Sequence, residues 1–268
     1  MSTPHYRRLG ADGEFQLFES TDYTRSNWDP QIQHGSPPLA LMTKLIQELS
    51  DTATGSAMRV GRVSMDILGA IPVAPVRVRA WVERPGTRIA LLSAEMVAAR
   101  PGGADRAVAR ASAWLLATTD TADVATDRFP PLVEGEADPA PHSWAGATGY
   151  LESISWRRQL ELDNGSAVAW MSPLARLVDD EDMTQIQRLA LIVDCANGAG
   201  AAIDPAAFVF MNTDTTMHVH RVPVGNDFAL RARGSIGADG IGVTTAEIFD
   251  QQGFIGTCAQ TLLVQRRP

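Results

Sequence analysis

The sequence predicts an α+β fold of two tandem units, each an antiparallel sheet wrapped around one long central helix, and three observations carry that prediction. Each half holds a single long apolar stretch at helical spacing. Each then changes to runs that alternate with period two, the signature of half-buried strands. The elements also recur in the same order, with short matches at a nearly constant offset: Ile71-Pro72-Val73 on Val222-Pro223-Val224, Ser93-Ala94-Glu95 on Thr245-Ala246-Glu247, and Ala111 on Ala259. Such self-similarity marks a duplicated unit, with boundaries expected at 1–119 and 146–268 around a connector at 120–145.

In the first unit, EFQLFES and TDYTRSNW read as short strands ahead of the Asp29-Pro30 turn. The paired prolines of HGSPPLALMTKLIQELSD fit only a helix's first turn, so a helix is expected from near Pro37, with Leu39, Met42, Leu45, Ile46 and Leu49 on its core face. Strands follow in RVGRVSMDILGAI, VRVRAWVER, IALLSAEMVAAR and RAVARASAWLLAT, parted by Ala74-Pro75, Pro85-Gly86 and Pro101-Gly102-Gly103. The connector loses periodicity and gains Pro, Asp and Glu. In the second unit SISWRRQLEL and SAVAWMSP read as strands and VDDEDMT as an acidic helix start. TQIQRLALIVDCANGAG is expected to be one enclosed helix, followed by strands in FVFMNTDTTMHVHR, FALRARGSI, GVTTAEIFD and FIGTCAQTLLVQ.

At 268 residues and 45% hydrophobic, the chain can bury a large core. A net charge of -8 argues against a nucleic-acid footprint. With no run of 18 apolar residues and no apolar h-region after the first arginines, neither a membrane span nor a signal peptide is expected, and cytoplasm is the default compartment. The two cysteines, Cys195 and Cys258, sit in apolar segments without metal-ligand spacing and read as core residues. No nucleotide-phosphate motif and no G-x-S-x-G elbow occurs, so no cofactor and no serine nucleophile is implied.

Asp194 is the one polar residue between Leu189 and Ala196. A carboxylate carried into a helix that is apolar all round is costly unless hydrogen-bonded, paired or used. It either braces a neighbouring loop or performs chemistry.

Asp194 in LIVDCANG, the strand NTDTTMHVHR at 212–221 and Ala259-Gln260 after DQQGFIGTC resemble the C-terminal half of the TesB-type (thioesterase II) acyl-CoA thioesterases. WDPQIQHGSPPLALM at 28–42 resembles the N-terminal unit of thioesterase-like proteins of the same superfamily. The resemblance implies a double hotdog fold and an acyl-CoA or acyl-carrier thioester as substrate, in fatty acid metabolism. It also implies a hydrolytic water held by a helix Asp, a hydroxyl ahead of a D-x-S-x-x-x-H strand pattern, and a Gln near the C-terminus. On this chain those are Asp194, Asn212 in place of the hydroxyl, and Gln260, while Asp214, Thr216 and His220 fit the strand pattern.

Internal comparison sets Thr43, Gly61 and Ser112 opposite Asp194, Asn212 and Gln260, leaving one working set. Hydrolysis needs an activated water and a polarised carbonyl. Backbone N–H groups of the His34-Gly35-Ser36 turn, reaching across from the first unit, are the expected oxyanion and substrate-binding donors, with His34 ordering the turn. His218 and His220 share a strand face but lack a third ligand, so no metal is expected. Two other readings stay open: a hotdog hydratase or dehydratase, for which no His accompanies Asp194 in sequence, and a non-catalytic acyl-binding protein. Exposed sheet edges point to a homo-oligomer, a dimer or tetramer.

Overall fold

A computed structural model describes residues 3–53, 58–100, 103–132, 147–160, 167–179 and 181–267. The first unit comprises β1 (Tyr6–Asp12), β2 (Phe15–Ser20), α1 (Ser36–Ala53), β3 (Met58–Ile67), β4 (Pro75–Arg84), β5 (Ile89–Arg100) and β6 (Gly103–Ala117). The second comprises β7 (Ile154–Leu160), β8 (Ala167–Pro173), α2 (Gln185–Val193), α3 (Ala196–Ala199), β9 (Phe208–Asn212), β10 (Asp214–Val219), β11 (Phe228–Ile236), β12 (Ile241–Asp250) and β13 (Gly253–Arg266). Half of the connector, 133–145, lies outside the described residues, as do 146, the Pro101-Gly102 part of one expected break, the last two residues of SISWRRQLEL, the first of SAVAWMSP and Asp180 of VDDEDMT.

All these strands form one antiparallel sheet in the order β1-β2-β4-β5-β6-β3-β10-β13-β12-β11-β8-β7, with β9 alongside β13. The order in one half is the reverse of the order in the other, so the halves meet edge to edge where β3 pairs with β10. Ser64 and Thr216 face each other there, their hydroxyls 2.7 Å apart. They are 152 positions apart in sequence, and a local twofold relating the units runs through this pair. The same spacing relates the Arg79–Glu95 pair on β4 and β5 (3.1 Å) to the Arg231–Glu247 pair on β11 and β12 (2.7 Å).

Strand pairing corrects three internal matches. A bulge falls at Gly61 in β3 and at Thr213 between β9 and β10, so Asn212 corresponds to Val60 rather than Gly61. Ala94 pairs with Ala111 and Ala246 with Cys258, so the last strand is offset by 147 residues, which sets Ala111 on Cys258 and Gln260 on Ala113. Thr43 does not match Asp194: it lies within the unbroken α1 with its hydroxyl bonded to the Leu39 carbonyl, and Gln47 is the α1 residue that meets the N-cap of α2 as Asp194 meets Gly35.

α1 packs on β4, β5 and β6 and against α2, and residues of both halves join one continuous core that includes Leu39, Met42, Ile46, Leu189, Ile192 and Val193. The sheet curls around the helices because each helix brings more apolar surface than one flat contact could cover.

Three local expectations change. TDYTRSNW contains a 3-10 turn at Asp22–Thr24 rather than a strand, because the Thr21 hydroxyl accepts the Tyr23 N–H. In the acidic helix entry VDDEDMT, residues 181–184 are not yet helical. Thr184 caps α2 in a reciprocal box with Gln187, while Glu181 pairs with Arg8 and Lys44. The enclosed helix of 184–200 is two pieces, α2 and α3, parted at Asp194-Cys195.

His5 is fully buried, its Nδ1–H on the Arg176 carbonyl (2.9 Å) and Nε2 at the Ser153 hydroxyl (2.8 Å), so it ties the N-terminal segment to the second unit. Burial pushes its imidazole down to about 4 from 6.5. The unfolded chain takes up this proton near 6.5 and the folded chain only near 4. Stability is therefore unaffected by this group above 6.5 and falls as pH drops through that window, by about 3 kcal/mol in all. Urea unfolding at pH 7 and pH 4.5 is expected to show a steeper loss for wild type than for His5→Asn; equal slopes would refute the assignment.

Candidate functional site

Asp194 stands at the C-cap of α2 with 2% of its surface exposed. The helix breaks there for a visible reason. The Tyr150 hydroxyl donates to the Leu191 carbonyl, the group that would accept the Cys195 N–H in a regular helix, and the Cys195 N–H turns to Ile192 instead (2.9 Å). Gln260 Nε2 takes the Asp194 carbonyl (3.0 Å). The break swings the carboxylate out of the helix line and toward β10 and β13.

Three donors meet Asp194 Oδ1: Asn212 Nδ2 at 2.7 Å, Gln260 Nε2 at 3.2 Å, and the Thr215 hydroxyl in a short bond. Thr215 also receives hydrogen bonds from Asn212 and Gln260, each at 3.0 Å. The three residues nominated from sequence therefore come together. Thr215 was missed; the bulge at Thr213 re-phases the strand so that Thr215 points inward beside Asn212. Asp214, Thr216 and His220 do not touch Asp194: they bond to Thr261 N–H, Ser64 and the Phe254 carbonyl. Gln260 Oε1 is buried without a protein partner among the described residues, an acceptor suited to a water proton.

The other carboxylate oxygen, Oδ2, faces the first unit. His34 Nδ1 lies 3.5 Å from it, so a histidine does accompany Asp194, delivered across the seam rather than along the helix. The two are not an ion pair. Burial lowers the His34 pKa, with Asp194 only partly opposing, and Nδ1 accepts the Ser36 N–H at 3.1 Å, which leaves the proton on Nε2 of a neutral ring. The ring stacks on Tyr150 with centroids 4.1 Å apart. Tyr150 thus sets both the helix break and the face of His34, and nothing in its sequence setting announced this.

Gly35 caps α1, its carbonyl accepting the Leu39 N–H at 3.1 Å. A helix start normally offers several N–H donors, but this one is depleted: Pro37 and Pro38 have none and the Ser36 N–H is taken by His34. Of the turn expected to supply donors, only the Gly35 N–H lacks a partner among the described residues. The Ser36 hydroxyl is buried close to the Tyr150 hydroxyl and the Cys195 thiol, with no hydrogen-bond partner in good geometry among the described residues. Glycine is required by approach rather than by backbone angle, since a Cβ at 35 would stand 2.5 Å from Asp194 Oδ2.

A cleft of about 250 Å³ opens beside these groups, lined by His34, Gly35, Asp194 and Asn212 at one end and by Trp28, Ile32, Ile67, Ile71, Met211 and Leu263 along its walls. The Cys195 thiol nearby is pushed up to about 12 by burial and stays protonated. Among the described residues no group of three His, Cys, Asp or Glu could hold a metal ion, and no helix is long and apolar enough to cross a membrane.

Two wrapped helices under one continuous sheet, with a carboxylate at their seam, define a double hotdog protein. Residues 24–116 match the sequence model of the acyl-CoA thioesterase N-terminal domain and residues 126–264 that of the C-terminal domain, and the chain belongs to this family. Among solved structures, a hot dog fold protein from Alicyclobacillus acidocaldarius superposes with a TM-score of 0.68 at 15% identity, over 96% of this chain and 95% of that one. The acyl-CoA thioesterase II TesB2 from Mycobacterium marinum gives 0.67 at 12%, over 98% and 95%. The dehydratase domain from the CurJ module of curacin polyketide synthase gives 0.54 at 10%, over 94% and 93%. No curated protein sequence matches this chain. At these identities the structures establish the fold.

Gly35→Ala is expected to push the carboxylate from its donors, to lower the melting temperature by a few degrees, and to lower kcat/KM for thiol release from acyl-CoA on the order of 100-fold. Full activity with an alanine at 35 would show that this approach is not part of the working geometry.

Proposed function

We propose that the chain hydrolyses acyl-CoA thioesters to a free acid and CoA, with Asp194 as general base. The observation that carries this is a buried carboxylate held on one oxygen by Asn212, Thr215 and Gln260, with the other oxygen beside His34 and Gly35, where Asp194 helps line a cleft with apolar walls. Oδ2 accepts a proton from water as the water oxygen bonds to the thioester carbon. The negative charge gathering on the acyl oxygen is met by the Gly35 N–H. The C–S bond then breaks, the sulfur leaves with the proton held by Asp194, and the acid carries the water oxygen. Gln260 and Asn212 fix the water's line of attack. No enzyme nucleophile is needed, in keeping with protonated Cys195.

Thr215 supports hydrolysis over passive binding. The hydroxyl that the family pattern carries at 212 is supplied here from three residues along, so the amide at 212 does not deprive the carboxylate of a hydroxyl donor. A second reading has a specific observation behind it: a neutral His34 beside Asp194 is a pairing suited to adding water to, or removing it from, an acyl chain.

Thiol release from short, medium, long and aromatic acyl-CoAs separates the readings. Hydrolysis predicts free thiol with wild type and a loss on the order of 100-fold or more in kcat for Asp194→Asn; unchanged rates would remove Asp194 from the mechanism. Consumption of an enoyl-CoA to a hydroxyacyl-CoA with no thiol would establish the hydratase reading, and no reaction with any substrate would favour binding alone. Thr215→Val, which keeps shape and removes one donor to a charged acceptor, should cost about tenfold in kcat with little change in KM. An unaltered kcat would assign the hydroxyl to structure only.

A further inference from the structure

The local twofold gives the catalytic cleft a twin. It lies on the other side of the seam and measures about 210 Å³. Its walls repeat the first cleft element by element: Val60 stands where Asn212 does, Val219 where Ile67 does, and Leu115, Met58, Ile186 and Val222 extend the apolar wall, with Ser50, Thr184 and Gln185 on its polar side. Gln47 lies against the N-cap of α2 as Asp194 lies against Gly35, its Oε1 accepting from Thr184 Oγ1 and Gln187 Nε2, each at 2.9 Å. The twin has the shape without the buried base: amide for carboxylate at 47, and Val60, Val63 and Ala113 for Asn212, Thr215 and Gln260.

Divergence did not simply make it greasier. At 152 residues' offset from Met211 and Gly69, the twin carries Arg59 and Arg221. Arg221 is neutralised by Asp250, with bonds of 2.6 and 2.7 Å. Arg59 bonds only to the Val219 and His220 carbonyls, at 3.3 and 2.6 Å, so its charge has no carboxylate partner among the described residues. Asp51 also lines the cleft but is exposed, where solvent screens it. An apolar slot ending at an uncompensated guanidinium suits an aliphatic chain with an anionic head.

We propose that the twin cleft is a non-hydrolytic binding site for a free aliphatic carboxylate, the chemical class of the reaction's own acid product, with its head on Arg59. The product relation rests on the thioesterase reading; the site itself does not.

Equilibrium dialysis of radiolabelled decanoate against the full chain tests it, read without turnover, with thiol release measured separately so that loss of one reading leaves the other standing. Wild type should show saturable binding that weakens at least tenfold in Arg59→Met, persists in Arg59→Lys, and disappears in Val222→Trp, which fills the mouth from an exposed position. Arg59→Met should release thiol as wild type does. Decanol should bind at least tenfold more weakly than decanoate. Absence of saturable binding, isotherms unmoved by Arg59→Met and Val222→Trp, or equal binding of decanol would overturn the proposal. So would displacement by coenzyme A alone, which would assign the guanidinium to its phosphates.

Discussion

A carboxylate almost wholly removed from water must have its oxygens met by donors, and the surroundings of Asp194 are arranged around that requirement. Oδ1 takes its donors from β9, β10 and β13, the helix ends at that residue, and the chain is bulged at Thr213 between β9 and β10. Each of these would be a cost elsewhere: a broken helix, a broken ladder, polar side chains in an apolar core. Together they satisfy one another, as a buried polar network must. Oδ2 is left toward the first unit, where a helix start depleted of other donors presents Gly35.

That division of one carboxylate between two units explains why the seam, rather than either core, holds the site. The first unit brings an N-terminus and a neutral imidazole; the second brings the charge and its donors. Tyr150 links them, stacking on His34 while its hydroxyl occupies the carbonyl that continuous helix would need.

Much of this was legible in sequence because periodicity and punctuation are local. The helix behind Pro37-Pro38 and the strands of both meanders fall where alternation and Pro/Gly breaks put them, and Asp194 drew notice as a lone charge in an apolar run. What was not legible depended on register. One extra residue at Gly61 and at Thr213 shifts which side chains face inward, so the Asn212 counterpart was misplaced by one and Thr215 passed unseen. His34 was read as ordering its own turn, and its Nδ1 does accept the Ser36 N–H. That the same ring stands beside Asp194 needed the fold, because 160 residues separate them. TDYTRSNW failed as a strand because a single side-chain hydroxyl captured a backbone N–H, a competition that alternation does not register.

The antiparallel joint through Ser64 and Thr216 has a consequence for how such a molecule can change. In an assembly of two identical chains, any substitution alters both clefts at once, and neither can be relieved of its chemistry. Covalent fusion lifts that constraint: one cleft can keep its acid while the other exchanges it for an amide, and the pair of strands at the axis still holds both in place. Genetic linkage, on this view, is what lets a symmetric scaffold acquire two different occupations.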